Sequence, residues 1–305
     1  FKWNETLGDY VVRGSLHHPR THICQRWGWD VALSEDGLRV AVGARGDDWE
    51  GEWLSYARVF EWNATIMDWS LMGNGSIESN LGDNFGQSVS LSADGETLAV
   101  SAVIHNGTNG EADIGKTYVL KWDDGVSDWM QLGSRIYDEA AGDWDDRNID
   151  LSADGRTLAI SSPLHDGANG EESGLVRVYF WNETTSDWVQ MGSDIEGKDV
   201  YDRFGAQLQL SDDGRTIAIT SVLNSDNGLW SGHCRVFQWS DSFQGWIQVG
   251  QDIQGESNDK TRGVALSGDG KTVVIGAWGA LESAGVVRVF NSSQLKGGQH
   301  DVFNL

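Results

Sequence analysis

Two cysteines, two prolines and no apolar run approaching eighteen residues set the first limits on this 305-residue chain. So few cysteines exclude a disulfide scaffold and a cysteine-based metal site. Cys24 and Cys234 either pair in an oxidising compartment or sit apart as small buried residues. The missing apolar run excludes a membrane-spanning helix. Basic residues are also scarce, 22 Lys and Arg against 46 Asp and Glu, for a net charge of −24. That balance argues against nucleic acid and anionic membrane surfaces as partners, since both require clustered cations. No leader peptide is visible at Phe1, which fits a processed secreted chain or a sequence that begins partway through a longer one.

Glycine and tryptophan, in contrast, are plentiful at 39 and 16 residues, the composition of a turn-rich globular protein. The chain also repeats itself. "LSEDGLRVAVGA" begins at Leu33, "LSADGETLAVSA" at Leu91, "LSADGRTLAISS" at Leu151, "LSDDGRTIAITS" at Leu210 and "LSGDGKTVVIGA" at Leu266, at intervals of 58, 60, 59 and 56 residues. Each unit opens with alternating apolar and polar residues, a half-buried strand A, and turns at Asp-Gly, a pair that tolerates positive φ, into strand B. A loop rich in Gly, Asn and Asp leads to strand C, as in "GLVRVYFW" from Gly174, and a hairpin leads to strand D, "DWVQMGSDI" from Asp187.

Four antiparallel strands per unit, with no helical periodicity, predict an all-β protein, a five-bladed β-propeller of four-stranded antiparallel blades. A solenoid of stacked sheets is the alternative; ring closure is favoured because each blade needs a neighbour on both faces. The expectation is one domain over 1–305, with blades at about 24–77, 78–137, 138–196, 197–254, and 255–293 plus 1–16. "FKW" at Phe1 matches the end of strand C and "DYVVRG" from Asp9 matches strand D, so the N-terminal strand is expected to close the ring by pairing with Val286–Phe290. The tail "HDVFNL" from His300 is the poorer candidate. If it served instead, the N-terminal strand would be released to pair with another copy.

"DNFGQSVSLSADGETLAVSA" from Asp83 and "DRFGAQLQLSDDGRTIAITS" from Asp202 resemble the FG-GAP repeats of integrin α-subunit propellers, and the Ser-x-Asp-Gly-x-Thr turn is similar to WD-like surface-protein propeller repeats. The resemblance covers nearly the whole chain and implies a fold more than a function. The chain departs from the calcium-binding FG-GAP loop. Asp36, Asp94, Asp154, Asp213 and Asp269 each stand as one carboxylate beside Gly, poor provision for a cation that takes six to eight oxygens. They are expected to form turns, and neither a metal nor a cofactor is expected.

Six sequons stand at Asn4, Asn63, Asn74, Asn106, Asn182 and Asn291, four of them in the turn after strand C. They are expected to carry N-linked glycans on a secreted protein, unless Asn and Thr are there because they suit turns. Nine tryptophans recur with the repeat, ending strand C or beginning strand D, and Trp27 replaces the Phe of Phe-Gly; these are structural. Trp29, Trp49, Trp53, Trp144, Trp230 and Trp278 break the pattern. They fall at connections that emerge on one face of a propeller, so they either plug the ring or offer indole faces to sugar rings.

Catalytic motifs are missing: no His-x-His or His-Glu-x-x-His ligand set, no Gly-x-Ser-x-Gly elbow and no phosphate loop. Arg45-Gly46-Asp47 spells an integrin-recognition tripeptide, but three residues recur by chance. The sequence therefore points to a secreted, non-catalytic binding or adhesion module for glycans or extracellular proteins. A self-associating structural subunit is the alternative, and a glycoside hydrolase using Asp47, Asp48, Glu50 or Glu52 the third reading.

Overall fold

The computed structural model describes residues 2–4, 6, 9–11, 14, 16, 26–45, 55–75, 77–78, 85–102, 115–137, 148–280 and 284–291. The elements named among those residues are all strands, joined by turns. An N-terminal hairpin of β1 (Lys2–Asn4) and β2 (Asp9–Val11) precedes five blades. The first blade orders β3 (Trp27–Leu33), β4 (Arg39–Ala44), β5 (Tyr56–Asn63) and β6 (Asp68–Leu71), and β7 (Ile77–Glu78) continues the outer strand further along β5. The second repeats this with β8 (Phe85–Leu91), β9 (Thr97–Ala102), β10 (Lys116–Asp123), β11 (Asp128–Gln131) and β12 (Ile136–Tyr137). The third has β13 (Ile149–Leu151), β14 (Thr157–Ser162), β15 (Leu175–Asn182), β16 (Asp187–Gln190) and β17 (Ile195–Glu196). The fourth has β18 (Phe204–Leu210), β19 (Thr216–Ser221), β20 (His233–Ser240), β21 (Gly245–Gln248) and β22 (Ile253–Gln254). In the fifth, β23 (Thr261–Leu266), β24 (Thr272–Ala277) and β25 (Val286–Asn291) are described. This is the five-bladed propeller of four-stranded antiparallel blades that the repeats predict.

Chemistry carried by the repeat makes each piece. In the second blade Ser92 Oγ donates to Asp94 Oδ1 (2.5 Å), the Glu96 N–H donates to the same oxygen (2.9 Å), and the Thr97 N–H donates to Ser92 Oγ (2.9 Å). The same Ser–Asp bond closes the turn in the other four blades, so these aspartates are occupied by their own loops. The Phe-Gly motif is a bulge: Gly86 has φ +84°, and a Cβ there would lie 2.7 Å from the Tyr56 carbonyl oxygen of the blade before. Only glycine combines that φ with that approach. On the rim, Trp62–Trp69, Trp122–Trp129, Trp181–Trp188 and Trp239–Trp246 sit opposite one another across strands C and D, edge to face at 5.5–5.6 Å.

Blades stack with strand A of one against strands B and C of the blade before. Val89 and Leu91 pack on Ala41, Ala57 and Val59, and Leu266 packs on Ala218, Cys234 and Val236. Backbone bonds run around the axis from turn to turn: Glu35 N–H to Ala93 O, Ala93 N–H to Ala153 O, Ala153 N–H to Asp212 O, and Asp212 N–H to Gly268 O, all 2.8–3.0 Å. A cavity of about 400 Å³ bordered by all five blades lies on this axis.

Closure of the ring departs from the expectation. β2 pairs with β1 and β25 with β24, so among the described residues the strand from Asp9 to Val11 is not paired with Val286–Phe290. The reason is local: Trp3 lies opposite Tyr10 as Trp62 lies opposite Trp69, so β1 already fills the edge β2 was expected to offer. The hairpin instead stands where a blade preceding the first would place its rim. A Cβ on Gly14 would lie 3.2 Å from Trp69 Cδ1, just as one on Gly73 would lie 3.4 Å from Trp129 Cδ1. Among the described residues no backbone bond joins Gly268 back to Glu35. Val31 and Leu33 are 60% and 59% exposed and Val287 is 52% exposed, where their counterparts in the stacked blades are buried.

Candidate ligand-binding site

Trp230 lies in the loop from β19 to β20, Lys260 immediately before β23, and Trp278 immediately after β24. The loops meet because the blade joint bonds them. The Lys260 N–H donates to the Trp230 carbonyl (2.9 Å) and the Thr261 N–H to that of Ser231 (3.3 Å). Asp259, buried behind them, accepts from the Glu256 N–H and from Arg288 Nη1, both at 2.8 Å, and so fixes the turn that presents Lys260. Trp230 and Lys260 both adopt left-handed backbone, φ +51° and +50°.

The previous joint has the same geometry with different side chains. There Glu172 (φ +45°) and Arg203 (φ +52°) occupy the equivalent positions, the Arg203 N–H donates to the Glu172 carbonyl, and the side chains form an ion pair at 2.7 Å. At the fourth-to-fifth joint a tryptophan replaces the glutamate. The Lys260 ammonium therefore rests between two indoles, 5.1 Å from the ring centre of Trp230 and 4.4 Å from that of Trp278. The rings hold it by cation–π attraction, and no ion pair to Lys260 occurs among the described residues.

Trp230 and Trp278 are 43% and 56% exposed. With Lys260, Arg203, Arg262 and the apolar Pro163 and Leu164 they line a cavity of about 320 Å³, and Arg262 and Trp278 also border a neighbouring groove of about 610 Å³ along the fifth blade. Among the described residues, no Asp, Glu or His lines either space. Positive charge with flat apolar surface suits binding of an anion attached to a ring.

Of the six tryptophans singled out from sequence, the structure brings Trp230 and Trp278 together. Trp29 is elsewhere, in the bulge of β3, with the guanidinium groups of Arg26 and Arg45 at 5.0 and 5.1 Å from its ring centre. Trp49, Trp53 and Trp144 lie outside the described residues, as do Asp47, Asp48, Glu50, Glu52, Gly46, Asn106 and Cys24. Lys260 and Arg262 were not singled out. Aligning Glu172 with Trp230 and Arg203 with Lys260 across the repeat was the signal that would have found the first.

Two of the sequon asparagines have turn roles. Asn63 Oδ1 accepts from the Thr65 N–H and Asn182 Oδ1 from the Thr184 N–H, each at 2.9 Å. Asp123 does the same for Gly125 at 2.7 Å, so the turn itself accounts for an oxygen at this position. Asn4 and Asn291 end β1 and β25, and Asn74 Nδ2 donates to Asp128 Oδ2 at 3.0 Å. Cys234 is a fully buried free thiol whose pKa burial pushes up to about 12, a packing residue with no nucleophilic role.

No family model matches the chain, and no curated protein matches it in sequence. Likeness is found among solved structures. The periplasmic gluconolactonase PpgL of Pseudomonas aeruginosa superposes with a TM-score of 0.54 at 16% identity, over 85% of this chain and 65% of that one. Saccharomyces cerevisiae Sqt1 gives 0.53 at 12% identity, over 92% of this chain and 62% of that one. The chain thus spans somewhat less than two thirds of each of these longer proteins. At such identities the likeness bears on the fold: it supports the propeller, and the FG-GAP resemblance keeps the standing of a sequence pattern.

Proposed function

We propose that the chain is a secreted, N-glycosylated, non-catalytic binding module whose ligand is a saccharide bearing an acidic group. The observation that carries this reading is the exchange of Glu172 for Trp230 at equivalent blade joints, which leaves the Lys260 cation flanked by Trp230 and Trp278. An indole face stacks on the C–H face of a pyranose, and the ammonium with the nearby Arg262 takes the carboxylate or sulfate. A cationic pocket on a chain of net charge −24 also selects: an extended polyanion is repelled elsewhere, so recognition is confined to the pocket. A lactonase reading has only the fold likeness to PpgL behind it, and among the described residues no Asp, Glu or His lines the pocket. A panel of immobilised glycans should retain the protein on uronate- or sulfate-bearing members and not on neutral ones. Retention on neutral glycans alone would contradict the assignment.

A second reading, self-assembly, is favoured by a separate observation. Val31 and Leu33 on the first blade repeat the side chains that elsewhere pack on the positions of Val287 and Val289, and all four are exposed. Two faces that fit each other at opposite ends of one molecule make a head-to-tail contact, which propagates or closes into a ring. Sedimentation should show association that rises with concentration, and Leu33→Asp should return the protein to the monomer. A wild-type protein monomeric at high concentration would remove this reading and leave the pocket untouched.

A further inference from the structure

A second group of side chains lies apart from the tryptophan–lysine pocket, along the outer part of the fourth blade. Asp226 comes from the β19–β20 loop, His233 opens β20, and Asp252 precedes β22, whose Gln254 lies opposite His233. Their ligand atoms all fall within 4.8 Å of one another. His233 is fully buried, and neither Nδ1 nor Nε2 has a hydrogen-bond partner. A buried polar side chain left unpaired is destabilising, so a site that retains one asks for an explanation.

One imidazole nitrogen and two carboxylates form a donor set for a first-row divalent ion, with the remaining coordination positions left to water. The group is not bare of cations. Lys198 Nζ donates to Asp252 Oδ2, Gln248 Nε2 donates to Asp252 Oδ1 at 2.7 Å, and Arg235 bonds Gln248 Oε1 at 3.2 Å and the Glu196 carbonyl at 2.9 Å. Arg235 is fixed by two partners; Lys198 has a flexible stem, and its side chain is 40% exposed.

We propose that Asp226, His233 and Asp252 bind a divalent ion of the zinc class, and that the Lys198 ammonium occupies the cation position in its absence. Binding then forms one nitrogen and two oxygen bonds to the metal and releases Lys198 to solvent. The exchange explains why a buried histidine with two idle nitrogens faces a carboxylate that a mobile lysine satisfies.

Calorimetry with zinc chloride on the full chain tests this, together with visible absorption after cobalt(II) addition, which reports nitrogen coordination. One equivalent should bind. Asp226→Asn, on an exposed loop, should weaken binding at least tenfold with an unchanged melting curve, and His233→Ala should abolish the cobalt absorption. Lys198→Met should tighten zinc binding severalfold, since the competing cation is gone. No saturable binding by the wild type, binding insensitive to Asp226→Asn, or looser binding in Lys198→Met would each overturn the proposal.

Discussion

Phe204→Ala is expected to lower the stability of the protein by about 3–5 kcal/mol, the range for emptying a buried aromatic site. Phe204 is fully buried at the joint of the third and fourth blades, in a cluster with Ala159, Val176 and Val178 of one and Leu208, Ile217 and Phe237 of the other. Its ring meets Phe237 edge to face at 6.3 Å, and the Arg235 guanidinium lies 4.9 Å from its centre. Collapse into the space is opposed by Gly205, whose φ of +97° and close approach to Ser161 hold the bulge in place. Urea unfolding measures the loss. A change below about 1 kcal/mol would mean that the Phe-Gly motif is not a blade joint.

Asp150 makes the second large prediction, through pH. The side chain projects from β13 toward the axial cavity and ties three blades together, accepting from Ser90 Oγ (3.0 Å) and from the Leu210 N–H (2.8 Å). Burial, assisted by the negative charge of Asp30, outweighs those bonds and raises its pKa from 3.8 to about 6. A carboxyl group raised on folding contributes stability that is fully present below pH 3.8 and lost as pH rises through 6. The difference is worth at most about 3 kcal/mol. Asp150→Asn keeps an acceptor for Leu210 and has no charge to bury. The stability of the variant relative to wild type should therefore rise between pH 4 and pH 7, with the step centred in that interval. A relative stability flat across the interval would show that Asp150 ionises freely.

The fold was legible because its signals are local and repeated. Leu-Ser-x-Asp-Gly encodes a turn through three hydrogen bonds within six residues, and five copies fix the blade count. Phe-Gly encodes a bulge for the same kind of reason. Closure was not legible, because the match of "DYVVRG" to strand D is equally satisfied by pairing with the chain's own Lys2–Asn4. The site was legible by halves. Trp230 and Trp278 stood out by breaking the repeat, but Lys260 is an ordinary lysine until Trp230 and Trp278, 30 residues before it and 18 after, come to rest on it. His233 was passed over for the same reason, since Asp252 reaches it only through the β20–β22 pairing and Asp226 only through the fold of the β19–β20 loop.

The pocket assignment stands most directly on one comparison: titration of the intact chain, by tryptophan fluorescence, with two oligosaccharides alike in ring sequence and differing only in one acidic group. The acidic member should bind at least tenfold more tightly. Lys260→Gln should erase most of that preference while leaving weak binding to both, and Trp278→Ala should weaken both alike. Equal affinity for the two saccharides in the wild type, or a preference unchanged in Lys260→Gln, would contradict the account.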